Sequence, residues 1–116
     1  MERDRESIGL TPASQVIMAE IESLGWFTDA QDVARFSLGY AVRAAVSEGS
    51  MTGTETRWAA GNFDKSGEIR SLLTALYPSC DTPVRLMEYL VNEGLRMLSE
   101  RSKGDDFSPS MIMDEI

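Results

Sequence analysis

The sequence predicts a mainly α-helical fold: two αα-hairpins, related as a pseudo-repeat, forming a four-helix domain. There is room for a short N-terminal strand and a second short strand near Trp58. Three observations carry this reading. Four segments place apolar residues at helical spacing between polar or Pro/Gly breaks. One of them, residues 28–46, is apolar around most of its circumference. The polar positions of two of the four fall into one register after a shift of 53 residues.

In order along the chain, residues 1–10 alternate charged and small side chains before Ile8 and Leu10. As a strand, this stretch would put Arg3, Arg5, Ser7 and Gly9 on one face and Ile8 and Leu10 on the other; as a frayed end it would have no faces. Thr11 followed by Pro12 is a strong helix start, because a threonine cap accepts an orphan N–H and proline is tolerated at the first helical position. Ala13, Ile17, Ile21 and Leu24 then repeat at helical spacing, widened by Val16 and Met18, and Gly25 ends the helix. Trp26 and Phe27 are expected to pack under the turn.

The next helix opens at Thr28, with Gln31 completing a capping box. Val33, Phe36, Tyr40, Ala41 and Ala44 form one apolar stripe, and Ala34, Leu38, Val42 and Ala45 a second. Asp32, Arg35, Gly39 and Arg43 are left to face water, so this helix is expected at the centre of the fold, its small residues admitting a neighbouring backbone. A polar connector, 47–62, follows, with a weak strand pattern over 54–59. The second hairpin spans about 64–101. Its first helix carries Ile69, Leu72, Leu73, Leu76 and Tyr77 and stops at Pro78; its second starts at Asp81 or Thr82 and carries the polar stripe Arg85, Glu88, Asn92 and Arg96. Moving that stripe back by 53 positions lands on Asp32, Arg35, Gly39 and Arg43, takes Asp81 to Thr28, and takes Tyr89 to Phe36. One domain is thus expected over 1–103, with hairpin 1 at about 11–46. Residues 104–116 are expected to form an acidic flexible tail in which Met111, Ile112 and Met113 could order on binding.

Composition narrows the chemistry. The 116-residue chain is 42% hydrophobic and 26% charged, which suits one soluble domain, and no run approaches the ~18 apolar residues of a membrane span. The start MERDRES has no apolar core, so a cytoplasmic location is expected. The chain has no histidine and one cysteine, Cys80, which removes histidine bases, Ser-His and Cys-His pairs, His-ligated zinc, thiolate zinc cages and internal disulfides. The net charge of −8 disfavours loose nucleic-acid binding, although Asp105, Asp106, Asp114 and Glu115 supply half of it.

Patterns that could hold chemistry have plainer readings. Residues 62–73 can be laid on a calcium loop, but the twelfth position is Leu73 rather than a bidentate glutamate, so Asp64 reads as a helix cap. Glu88 and Glu93 lie five apart on a helix and read as solvated surface rather than an acid/base pair. No cofactor, metal or catalytic residue is expected. Arg35, Arg43, Arg85 and Arg96 interrupt otherwise apolar helices, either as a solvated stripe or as the rim of a partner-binding face. Trp26, Trp58 and Phe63 suit a core, or anchors at an interface.

The order of segments in residues 3–46, SIGLTPASQVIMAEIESLGWFTDAQDVARFSLGYAV within them, resembles the ribbon-helix-helix family, whose members dimerise by pairing strands. The layout is also similar to the small E subunit of bacterial DNA sulfur-modification operons. The first resemblance implies that Arg5, Ser7 and Arg3 occupy a groove-reading face. Two functions follow as expectations. The first is a non-enzymatic helical module that self-associates, as a homodimer or higher homo-oligomer, and binds a partner protein; the alternative is a DNA-associated regulator or DNA-modification accessory protein.

Overall fold

A computed structural model describes residues 3–102. Among them the chain forms strand β1 (Ser7–Leu10), helices α1 (Pro12–Glu22) and α2 (Ala30–Arg43), strand β2 (Glu55–Ala59), a one-turn helix α3 (Ala60–Phe63), and helices α4 (Glu68–Leu76) and α5 (Pro83–Ser102). The protein is mainly helical, with a two-stranded antiparallel sheet, β1 beside β2. Both strand patterns in the sequence are therefore real elements. The acidic tail from Gly104 lies outside the described residues.

The centre of the fold is α5, not the helix over 28–46. Val84, Leu86, Met87, Leu90, Val91, Leu95 and Leu98 of α5 are all buried, and they face α2, β1, α1 and α4 around the helix. In α2 burial is confined to Val33, Ala34, Ser37, Leu38 and Ala41. Phe36, Tyr40 and Val42 are only half-buried, and Ala44 and Ala45 are exposed. Helix α2 stops at Arg43, and Ala45 adopts a positive φ of 59°, so the second apolar stripe loses its last turn. The buried Ser37 donates its hydroxyl to the Val33 carbonyl, 2.8 Å away.

Small residues set the α2–α5 approach. Gly94 of α5 lies against the backbone of Ser37, and a Cβ there would overlap the Ser37 carbonyl. Further along the pair, Tyr89 lies against Gly49, beyond the end of α2. The two helices therefore run antiparallel, with the C-terminal end of α5 beside the start of α2.

The helix caps differ in part from the sequence expectation. Thr11 caps α1, accepting from the Ser14 N–H at 3.1 Å. The cap of α2 is Asp29, which accepts from Asp32 N–H at 2.9 Å; the expected Thr28–Gln31 capping box does not form, and Gln31 instead accepts from Arg35 Nη2 at 2.7 Å. Asp64 accepts from the N–H groups of Ile69 and Arg70, both at 3.0 Å, as expected of a cap rather than a calcium ligand. The first turn of α5 is capped from the other end of the sequence: Asp4 accepts from Val84 N–H at 3.1 Å and from Arg85 N–H at 3.0 Å.

In the sheet, Ile8 pairs with Trp58 and Gly9 with Thr56, so Arg57 is the extra residue of a bulge. Ile8 and Leu10 are fully buried, as their alternation requires. At Gly9 the strands approach so closely that a Cβ would lie 2.6 Å from the Glu55 carbonyl oxygen. Trp58 stacks on Phe63 with ring centroids 5.9 Å apart, which makes both part of the body rather than surface anchors.

These contacts separate two glycines on facing helices. Gly94→Ala should destabilise the fold by about 1–3 kcal/mol, because the added methyl forces α5 from α2. Gly39→Ala meets nothing within 4 Å and should stabilise by about 0.5–1 kcal/mol through helix propensity. Urea denaturation of both variants checks the pair.

Candidate functional site

The largest departure from the sequence reading is on α5. Glu88 and Asn92 belong to the polar stripe expected to face water, yet Glu88 is 1% exposed and Asn92 is buried beside it. They lie against the backbone of β1. Glu88 Oε2 accepts from Gly9 N–H at 2.9 Å and from the Thr54 hydroxyl at 3.0 Å. Asn92 Nδ2 donates to the carbonyls of Gly9 (3.1 Å) and Glu88 (2.7 Å), while its Oδ1 accepts from Thr11 N–H at 3.1 Å. A carboxylate and a carboxamide thus supply β1 with the complementary groups a further strand would offer.

Arg5 completes the cluster. Its Nη1 donates to Glu88 Oε2 at 3.5 Å, and its Nε lies 3.3 Å from Oε1. That Nε is buried and off the hydrogen-bonding direction, so the contact there is an ion pair and not a hydrogen bond. A buried carboxylate loses several kcal/mol of hydration, which only convergent donors offset. Glu88 has an N–H, a hydroxyl and a guanidinium.

The other candidate residues do not converge. Ser7 Oγ lies 3.1 Å from Thr56 Oγ1, across the sheet. Arg3 is exposed, and its carbonyl accepts from Arg85 Nε at 2.6 Å, which joins these two near the start of α5. Arg35 donates from Nε to the Phe63 carbonyl at 3.1 Å, pairs with Asp32 at 3.3 Å, and lies over the Phe63 ring. Its guanidinium therefore ties α2 to the end of α3. Arg96 pairs with Glu93 at 3.0 Å and Glu100 at 3.1 Å on one face of α5, and the Glu93 hydrogen bond holds its pKa above the usual arginine value. Arg43 is exposed at the last turn of α2. The stripes of α2 and α5 are thus not equivalent: Glu88 and Asn92 are interior groups, whereas Arg35 and Arg43 flank the surface.

Two hollows accompany these residues. One, of about 290 Å³, is lined by Arg35, Phe63, Asp64, Lys65 and Ile69. Asp64 is already committed to the start of α4, and Arg35 to Phe63. The other, of about 370 Å³, lies between the end of α2 and the end of α4, lined by Val42, Ala45, Val46, Glu48, Leu76 and Tyr77. The Tyr77 hydroxyl donates to the Val46 carbonyl at 2.7 Å, and burial pushes its pKa up. On α4 beside this groove Leu72 and Leu76 are 47% and 51% exposed, although their spacing suggested a core stripe. Only Leu73 of α4 is buried.

Among the described residues no group of three acidic or cysteine side chains is placed to hold a metal ion, and no helix is long and apolar enough to cross a membrane. The chain matches no known protein family, no curated protein and no solved structure.

The sequence signal for Glu88 and Asn92 was the narrowness of their stripe. With Met87, Leu90, Val91 and Leu95 on both sides, the stripe had little angular room to reach bulk water. The cluster generates a direct contrast. Glu88→Ala leaves Arg5 and the Gly9 N–H without their acceptor and should destabilise by about 3–5 kcal/mol. Glu93→Ala, which breaks only the Arg96 pair, should change stability by less than about 1 kcal/mol. Thermal and denaturant melts of the two variants provide the comparison.

Proposed function

We propose that this protein is a non-enzymatic helical module that self-associates and binds a partner protein. The observation that carries this reading is the exposed apolar pair Leu72 and Leu76, the second of which also lines the groove with Val42, Ala45, Val46 and Tyr77. One continuous apolar surface of this kind suits an isologous two-fold contact, in which Leu72 and Leu76 of each copy pack against the same surface of the other. Leucines at i and i+4 on a helix are a common form of such an anchor. The polar groups that the fold concentrates, Glu88, Asn92 and Arg5, hold β1 and are turned inward, which supports a binding rather than a catalytic role. The same reading includes a cytoplasmic setting, in which Cys80 stays a thiol.

Light scattering across a concentration series tests the proposal. The protein should be dimeric or larger at high micromolar concentration, and Leu76→Asp should shift it to monomer with an unchanged circular dichroism spectrum, since the side chain is half exposed. A monomer at every concentration would overturn self-association. A dimer insensitive to Leu76→Asp would move the contact elsewhere.

The DNA-associated alternative receives less support from the geometry. Arg5 is paired with Glu88, and β1 has β2 on one side and the side chains of α5 on the other, so pairing β1 between two chains would displace one of them. A labelled-duplex shift assay at ~50 mM salt is expected to show no complex; a complex abolished by Arg5→Ala while the circular dichroism spectrum stays unchanged would restore the groove-reading role.

A further inference from the structure

The groove of Val42, Val46 and Tyr77 is one end of a longer seam between α2 and α4. At this end the Tyr77 hydroxyl reaches the Val46 carbonyl, and at the other Arg35 Nε reaches the Phe63 carbonyl. The hollow beside Arg35 is lined from α4 by Glu68 and Ile69, and the hollow beside Val42 by Leu76. Arg35 to Val42 and Ile69 to Leu76 are both steps of seven residues, about 10 Å of helix, so α2 and α4 run in the same direction with Val42 level with Leu76. Gly39 shares the face of α2 that carries Arg35 and Val42, and nothing lies within 4 Å of a Cβ built there, so the seam is open between its two ends.

Charged side chains stand at both ends. Glu68 lies four residues before Leu72 on α4, about 6 Å along the axis, and Arg43, one residue past the level of Leu76, lies about 7 Å beyond Leu72. Both are exposed, and neither side chain takes part in a hydrogen bond or ion pair among the described residues. Lys65 lines the hollow at the Phe63 end, and Glu48 lines the one at the Tyr77 end. Each anion therefore has a cation on the opposite side of Leu72.

Resting on the self-association reading above, we propose that two copies meet with their α4 helices antiparallel about a two-fold axis at Leu72, and that Glu68 of each copy pairs with Arg43 of the other. An axis there exchanges the two ends of the seam, which brings Glu68 level with Arg43 of the second copy and Lys65 toward its Glu48. Leu76 is carried at the same time toward Ile69 of the second copy, so the apolar contacts and the charge pairs share one register. A parallel arrangement would set Glu68 against Glu68 and Arg43 against Arg43, like charges that weaken association. The antiparallel one also opposes the two helix dipoles. Charge selects the orientation, and the occupant of the seam is a second copy of this chain.

Charge reversal in the full chain, followed by sedimentation equilibrium, tests the register. Glu68→Arg alone and Arg43→Glu alone should each weaken the dimer by about tenfold or more, because each places two like-charged contacts in it. Both side chains are exposed, so the circular dichroism spectrum should not change. An equimolar mixture of the two single variants should recover the affinity of the unaltered protein as a one-to-one heterodimer. In it the guanidinium from Glu68→Arg meets the carboxylate from Arg43→Glu, and the unaltered Arg43 and Glu68 meet each other. Single variants that dimerise as tightly as the unaltered protein, or a mixture that recovers nothing, would overturn the pairing; if Leu76→Asp still gives a monomer, self-association through this surface stands without it. An unaltered protein that is monomeric at every concentration overturns both.

Discussion

The fold depends on one arrangement of polar groups inside an apolar core: Glu88 and Asn92 of α5 bonded to the backbone of β1 around Gly9. An isolated two-stranded hairpin is marginal in water. Here β1 is fixed along both sides. β2 pairs with it on one side, while Glu88 and Asn92 take the Gly9 N–H, the Gly9 carbonyl and the Thr11 N–H from the other. Asp4 adds a third tie by capping α5 across more than seventy residues of sequence. The segment from Asp4 to Leu10 is consequently part of the body, with Ile8 and Leu10 in the core.

That arrangement explains why α5 is the central helix. It needs one apolar side for α2 and another for α1 and α4, and it needs a polar strip that β1 can use. Its sequence meets these demands at separate angles: Gly94 admits the backbone of α2, the leucines fill the interior, and Glu88 and Asn92 point to the strand. Removing one partner of such a buried set is damaging because the others cannot recover water, even though the whole set contributes little net stability.

Much of this was legible in the sequence and some was not, for identifiable reasons. The Thr11–Pro12 start, the capping role of Asp64, and the strand around Trp58 rest on local chemistry, which the fold respects. The alternation at Ile8 and Leu10 also survived, since a strand with one buried face has no other register. The small, apolar residues of 28–46 do not entail burial on all sides. Ala44 and Ala45 instead cover little because the helix has already ended, and Ala45 takes a left-handed turn. Amphipathic periodicity does not separate a solvated strip from one that serves a strand's backbone, which is why the stripe of Glu88 and Asn92 reads as surface from sequence. On α4 the same periodicity marked Leu72 and Leu76 as core, whereas they form the exposed ridge on which the proposed association rests. Both errors concern what lies opposite a helix face, which is long-range information.

Hydrogen exchange at two backbone amides tests the central interaction directly. If Glu88 and Asn92 hold β1, the N–H groups of Gly9 and Thr11 exchange only with global unfolding, with protection equal to that of the amides in the middle of α5. Rapid exchange at both positions, at the rate of a frayed chain end while α5 remains protected, would contradict the account.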